Sequence, residues 1–247
     1  MIPKIIHYFG GHSLSAIERK CIHSWEKYMP DYKVIEWNEY NFDMNCNDYV
    51  KEAYTAKKWA FVSDYVRLSV LYKYGGIYMD TDVEVIKNMD GFLGYNAFAG
   101  FEDLNLIQMH LVGAEKKNEW IEILLLDYSK RHFIENKSKY DLTPITLTIT
   151  RITRELYTIN LDNTFQIIGN GIAIYPKEYF APKGWSTGKT NITVNTHAIH
   201  HYRGSWFSFT QKVYINLIRV FGFRFGNLIF KSMKLLKNIK LFKIMLS

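Results

Sequence analysis

Two carboxylates, Asp80 and Asp82, stand one residue apart directly after the apolar run Ile77-Tyr78-Met79. In extended backbone, positions i and i+2 point to the same side, so both can face one ion. They close a strand, and open α/β sheets bind their ligands beyond the carboxyl ends of strands. Oxygen donors suit a hard divalent cation, Mg²⁺ or Mn²⁺, which in turn holds a diphosphate. Taken alone, so short a pattern also describes a polar strand end with two solvated carboxylates. Asp64 and Arg67 lie i, i+3 on the preceding helical segment and share a face. They are either a local ion pair or a functional one. In the second case Arg67 is a planar donor fork and Asp64 an acceptor for a ligand's hydroxyls.

The elements that must position these groups are legible around them. Residues 4–9 read as a short buried strand broken by Gly10-Gly11. Ser13 is placed to cap a helix that runs to about residue 28, and Pro30-Asp31 ends it. Residues 32–37 alternate as a strand, and 48–57 and 58–74 read as helices, the second stopped by Gly75-Gly76. Further strands are expected within 92–112, 165–175 and 193–202. Helices are expected over 118–133 and, capped by Thr143 with Pro144 in its first turn, to about 157. Strand and helix alternate, which argues for a layered α/β sheet.

At 247 residues, 48% apolar and 16% aromatic, the chain is long and apolar enough for one sizeable core. Cys21 and Cys46 are the only cysteines, which excludes a disulfide framework and a cysteine metal cluster. All 24 acidic residues lie within 1–178, beside 20 Lys and Arg; residues 179–247 hold 11 Lys and Arg and no acid. That end of the chain points to an anionic partner. From about Phe207 it mixes Lys with Leu, Ile, Phe and Met, which favours a membrane surface over nucleic acid. No apolar run reaches the ~18–20 residues of a spanning helix, and the first residues read as a strand rather than a leader. The expected location is cytoplasmic, peripheral on the inner face of the plasma membrane. The simplest parse is one catalytic domain over 1–207 and a basic helical appendage over 208–247.

Several blocks carry a family resemblance. Ile2-Pro3-Lys4-Ile5-Ile6-His7, Ser24-Trp25, Pro30-Asp31-Tyr32 and Glu36-Trp37-Asn38 resemble glycosyltransferase family 32, the DXD-sugar-binding glycosyltransferases. The longest block runs from Ala60 through Asp64 and Arg67 to Gly75-Gly76-Ile77-Tyr78-Met79-Asp80-Thr81-Asp82-Val83. Ile199-His200-His201-Tyr202 with Ser205-Trp206 looks like the family's C-terminal signature. The resemblance implies a GT-A fold: a Rossmann-like mixed sheet flanked by helices, here with a basic C-terminal tail. It also implies a divalent metal and a retaining transfer of an α-linked sugar from a nucleotide-diphosphate donor. UDP-sugars are favoured and GDP-mannose is the alternative.

By matching motifs, Asp82 is expected to ligate the metal directly and Asp80 to bridge ribose and metal. His201 or its neighbour His200 is the candidate third ligand. Asp64 and Arg67 would hold the donor sugar. Ile6, His7 and Tyr8 would meet the base. Trp206 would close over the diphosphate or anchor its loop in the core, and Gln108 would present an amide to the sugar's β-face or be a polar loop residue. The chain departs from many relatives in going from Tyr8-Phe9 directly to Gly10-Gly11, without an extra Trp. The expected acceptor is a saccharide or lipid-linked saccharide in cell-surface polysaccharide synthesis. A toxin-like protein glycosyltransferase and a non-catalytic carbohydrate- or membrane-binding module are the alternatives. A phosphohydrolase built on Asp80-Thr81-Asp82 is disfavoured, because Val83-Glu84-Val85 lacks the Gly-Thr pair such enzymes carry.

Overall fold

The computed structural model describes residues 1–10, 13–136, 139–185, 187–204, 213–220 and 222. Its elements run β1 (Ile5–Phe9), α1 (Ala16–Tyr28), β2 (Lys33–Trp37), α2 (Asp48–Thr55), α3 (Trp59–Tyr74), β3 (Gly76–Met79) and β4 (Val83–Val85). They continue with β5 (Ala97–Gly100), β6 (Leu111–Ala114), α4 (Glu119–Tyr128), β7 (Ile134–Asn136), β8 (Lys139–Tyr140) and α5 (Ile145–Leu156). The last are β9 (Gln166–Ile168), β10 (Ile172–Tyr175) and β11 (Ala198–His200).

Seven strands form one mixed sheet in the order β2-β1-β3-β6-β5-β10-β9. β1 pairs parallel with β2 and β3, and β5 pairs parallel with β10. β6 runs antiparallel between β3 and β5. The carboxyl ends of β1, β3 and β5 therefore meet the entry to β6 at one edge of the sheet. One buried cluster packs α2, α3, α4 and α5 against the sheet, and a second includes Trp25 of α1. This architecture, a mixed sheet between helices, is the layered α/β class expected from the alternation of strands and helices.

The local signals explain most boundaries. The cap of α1 lies two residues later than expected. Ser15, not Ser13, forms the capping box with Glu18, satisfying two backbone N–H groups reciprocally. α5 is likewise not capped by Thr143. Pro144 occupies the cap position without a side-chain bond, and the Thr143 N–H donates to Asp141 Oδ1 at 3.0 Å. α4 ends at Tyr128 rather than 133. The chain then turns back, burying Phe133 against Tyr49 and Phe61. The segment 165–175 resolves into the β9/β10 hairpin around Gly169 and Gly171, both at positive φ.

The α3–β3 junction sets the position of the acidic pair. Gly75 and Gly76 have φ of +67° and +113°. A Cβ on Gly76 would lie 2.6 Å from the Ile5 carbonyl oxygen of the neighbouring strand. Gly76→Ala is therefore expected to cost about 2–3 kcal/mol, through left-handed strain and the clash with β1. A urea midpoint at the wild-type value would show that the junction tolerates a side chain.

Candidate active site

Asp80 leaves β3 with its N–H bonded to the His110 carbonyl at 2.8 Å, so β6 fixes where the turn begins. The turn is tight, since Val83 N–H returns to Asp80 O at 3.0 Å. Trp25 of α1 braces it by donating its indole N–H to Val83 O at 2.7 Å. β4 then pairs antiparallel with β11, placing His200 opposite Val83. This two-stranded ribbon brings residues 118 positions apart, Asp82 and His200, into contact: His200 Nε2 lies 3.2 Å from Asp82 Oδ1.

Ligand-capable atoms of Asp80, Asp82 and His200 all lie within 4.8 Å of one another. Two carboxylates and one imidazole fit a divalent cation. His200 Nδ1 is buried without a hydrogen-bond partner, and the ring stacks on His110 at 4.1 Å. Burial resists charge on His200, but the adjoining Asp82 carboxylate outweighs it and raises the imidazole pKa above its ordinary value. Burial also opposes ionisation of Asp82, yet His200 and the Arg203 backbone N–H hold its carboxyl well below the usual range. A cation held by this group would compete with a proton for His200 Nε2. Mn²⁺ affinity should therefore rise with pH through the raised His200 pKa, which calorimetric titration at several pH values would check. A pH-independent affinity would exclude His200 from the ligand set.

The companion pair lies beneath. Arg67 is 4% exposed, and its NH2 is 3.1 Å from both Asp64 Oδ1 and Asp80 Oδ1. NH1 donates to the Met109 carbonyl at 2.5 Å, and the guanidinium lies over the Tyr78 ring at 4.9 Å. Burial opposes the charge on Arg67, but the two carboxylates raise its pKa further. One buried cation serves two acids, Asp64 buried and Asp80 half-buried. Burial accordingly pushes the Asp64 carboxyl up to about 7, with Arg67 pulling the other way. The pair is thus no helix-surface ion pair. It links α3 to the acidic turn.

These groups line a cavity of about 540 Å³. Phe9, Glu18, Thr81, Glu102, His110, Trp185, Tyr202 and Arg203 also line it. Burial pushes the Glu102 carboxyl, just beyond β5, up to about 7. None of Glu18, Glu102, His110 or Arg203 was singled out by sequence reasoning. Only Glu18 carries a signal, the Ser-x-x-Glu of its capping box.

Several expected residues stand elsewhere. His201 is turned away from the acidic pair, because successive residues of a strand face opposite sides. Its Nε2 meets Glu84 Oε2 at 2.9 Å. Gln108 is fully buried, and both ends of its amide bind the Leu111 backbone, at 2.6 and 3.0 Å. It is a turn brace and does not line the cavity. Nor do Ile6, His7 and Tyr8. Ile6 is in the core. His7 accepts from the Trp37 indole at 3.1 Å and meets the Gly75 carbonyl at 2.8 Å, and burial lowers its pKa to about 4. Tyr8 donates to Glu36 at 2.7 Å. From this strand it is Phe9 that reaches the cavity. Trp206 lies outside the described residues.

Residues 15–99 match the family described as the glycosyltransferase sugar-binding region containing the DXD motif. Lactosylceramide 4-alpha-galactosyltransferase of Mus musculus is 26% identical over 153 residues, 56% of this chain and 40% of the relative. The chain thus spans well under half the length of that protein. Among solved structures, PaToxG glycosyltransferase is similar with a TM-score of 0.46 at 17% identity, over 63% of this chain and 69% of the other. A glycosyltransferase involved in glycosylation of the major capsid of PBCV-1 gives 0.38 at 12% identity, over 70% and 82%. The span matched to that sugar-binding region holds α3 with Asp64 and Arg67, the strand that follows, and the turn Asp80-Thr81-Asp82 beyond it.

Proposed function

We propose that this chain transfers a hexose-type sugar from a nucleotide-diphosphate donor to a saccharide acceptor, with retention of configuration and with Mn²⁺ or Mg²⁺ bound. The observation that carries the reading is the buried Arg67 guanidinium, shared between Asp64 and Asp80 beside the Asp82–His200 contact. Asp80, Asp82 and His200 would hold the cation, which would supply a Lewis acid where negative charge builds on the departing diphosphate. Arg67 fixes Asp80 and Asp64 in place. Asp64, at the cavity wall, accepts from donor-sugar hydroxyls. The glycosidic bond breaks toward the phosphate oxygen, and the acceptor oxygen bonds to the same face of the sugar carbon. The acceptor's proton passes to the leaving phosphate. No side chain is assigned as a covalent nucleophile.

The mouse relative is named for alpha-galactosyl transfer to lactosylceramide. That supports trying UDP-galactose first as donor and a lipid-linked saccharide as acceptor, with a role in cell-surface glycan synthesis. The test is ligand-dependent thermal shift with Mn²⁺, comparing UDP-sugars with GDP-mannose. Stabilisation by at least one donor, lost in EDTA, is expected. A protein that melts at one temperature with every donor would reject the reading.

The basic end supports peripheral docking on an anionic membrane, the cytoplasmic leaflet in this reading. Among the described residues no helix is long and apolar enough to cross a membrane. Residues 213–220 form a helix that buries Tyr214, Ile215 and Ile218 in a cluster with Trp185. Lys231, Lys234, Lys237, Lys240 and Lys243 lie outside the described residues. Each cation near an anionic surface contributes roughly 1 kcal/mol, so these five suffice for reversible docking. A version ending at Gly222, which keeps the Trp185 cluster, should lose salt-sensitive co-sedimentation with phosphatidylserine vesicles. Equal binding by both versions would dismiss the tail as an anchor.

A further inference from the structure

Arg203 adjoins the acidic pair, yet its charge is directed elsewhere. Its backbone N–H donates to Asp82 Oδ2 at 2.9 Å, fixing the main chain beyond β11 beside the motif. Its guanidinium turns to the start of α1. NH1 pairs with Glu18 Oε2 at 3.1 Å and also reaches the Ser15 hydroxyl. Glu18 Oε1 accepts from Thr81 Oγ1, the middle residue of the motif, at 2.9 Å. One carboxylate therefore ties together the entry to α1, the acidic turn and the segment leaving β11.

The tie is built to be releasable. Without Arg203, Glu18 still accepts from Ser15 N at 2.8 Å, from Ser15 Oγ at 2.7 Å and from Thr81 Oγ1. No buried carboxylate would be stranded, so the usual cost of removing one partner of a buried pair is avoided. Arg203 is 38% exposed at its side chain, against 4% for Arg67, so it has room to turn.

The charges also call for it. Asp80 and Asp82 would together match a divalent cation, which leaves the diphosphate's own charge unmet. Arg67 is already shared between two acids. Lys57 and Lys58 line the cavity ahead of α3, whereas Arg203 adjoins Asp82 itself. A planar guanidinium also matches phosphate oxygens two at a time.

We propose that Arg203 is the counter-charge for the donor's diphosphate, held by Glu18 in the free protein and transferred to phosphate when the donor binds. This rests on the nucleotide-sugar reading above. Binding then exchanges a carboxylate partner for a phosphate one and loosens the C-terminal segment from α1.

The test is calorimetric binding of UDP, GDP and inorganic pyrophosphate, each with Mn²⁺, to the full chain and its variants. Arg203→Ala should weaken whichever probes the wild type binds by about tenfold or more. Glu18→Gln removes the competing charge but keeps an acceptor for Thr81, and should tighten binding about threefold. The double variant should bind like Arg203→Ala alone. Affinity of Arg203→Ala within twofold of wild type would overturn the proposal. So would equal weakening by Arg203→Ala and Glu18→Gln, which would make the pair a fixed strut. Should Glu18→Gln fail to hold its melting temperature, UDP against UMP in Arg203→Ala decides. A preference for UDP about tenfold smaller than that of the wild type supports the transfer, and an unchanged preference overturns it. A wild type that binds none of the three probes overturns the nucleotide-sugar reading itself.

Discussion

Asp82→Ala is expected to lower sugar transfer by at least 10²–10³, several kcal/mol of transition-state stabilisation, while leaving the fold in place. Asp82 offers one oxygen to the group formed with Asp80 and His200, and its second oxygen accepts from Arg203 N–H. Removing it would take away one of the three groups proposed to hold the cation, and the main-chain tether with it. The structural cost is smaller. Without its partner His200 is free to stay neutral, so the loss is about one hydrogen bond, roughly 1–2 kcal/mol. Asp82→Asn is the companion variant, because it keeps an oxygen for Arg203 but is a poorer ligand. Donor hydrolysis and circular dichroism should be measured together. A folded Asp82→Ala protein with near-native turnover would remove Asp82 from the chemistry.

Arg67→Lys and Asp64→Asn should each reduce turnover at least tenfold, about 1.4 kcal/mol. The guanidinium touches Asp64, Asp80 and the Met109 carbonyl at the same time, and an ammonium cannot reproduce that fork. Arg67→Ala would leave the buried Asp64 and the half-buried Asp80 without their shared cation and should also cost about 3–5 kcal/mol of stability. Lysine is therefore the more informative replacement, since it retains charge and separates geometry from electrostatics. Steady-state kinetics should be read beside urea unfolding. Normal kinetics with only a stability loss would reduce the pair to a structural contact.

What was legible in the sequence was what local physics decides. Gly75-Gly76 stops α3 and opens β3 because both positions lie at positive φ. The i, i+3 spacing placed Asp64 and Arg67 on one face of α3; that both are buried there, among Phe61, Val62, Tyr65, Val66 and Leu68, only the packing shows. What was not legible depends on pairing between distant segments. The choice between His200 and His201 is made by the register of β11 on β4, and one residue of slip would reverse it. Gln108 has the chemistry of a site residue, but its amide is satisfied three residues away, on the Leu111 backbone. His7 is similar, with both ring nitrogens taken by Trp37 and Gly75 from adjoining elements. Arg203 and Glu18, far apart in the chain, meet only because β11 returns to β4 beside α1.

The proposed role of Asp80-Thr81-Asp82 as a metal-dependent donor site is tested most directly by release of nucleoside diphosphate from nucleotide sugars. The purified chain would be offered UDP-galactose, other UDP-hexoses and GDP-mannose with Mn²⁺ or Mg²⁺, and the same set in EDTA. Turnover of at least one donor with metal, abolished by EDTA and by Asp82→Ala, is the predicted result. Equal turnover in EDTA, or a folded wild-type protein that releases nucleoside diphosphate from none of them, would contradict it.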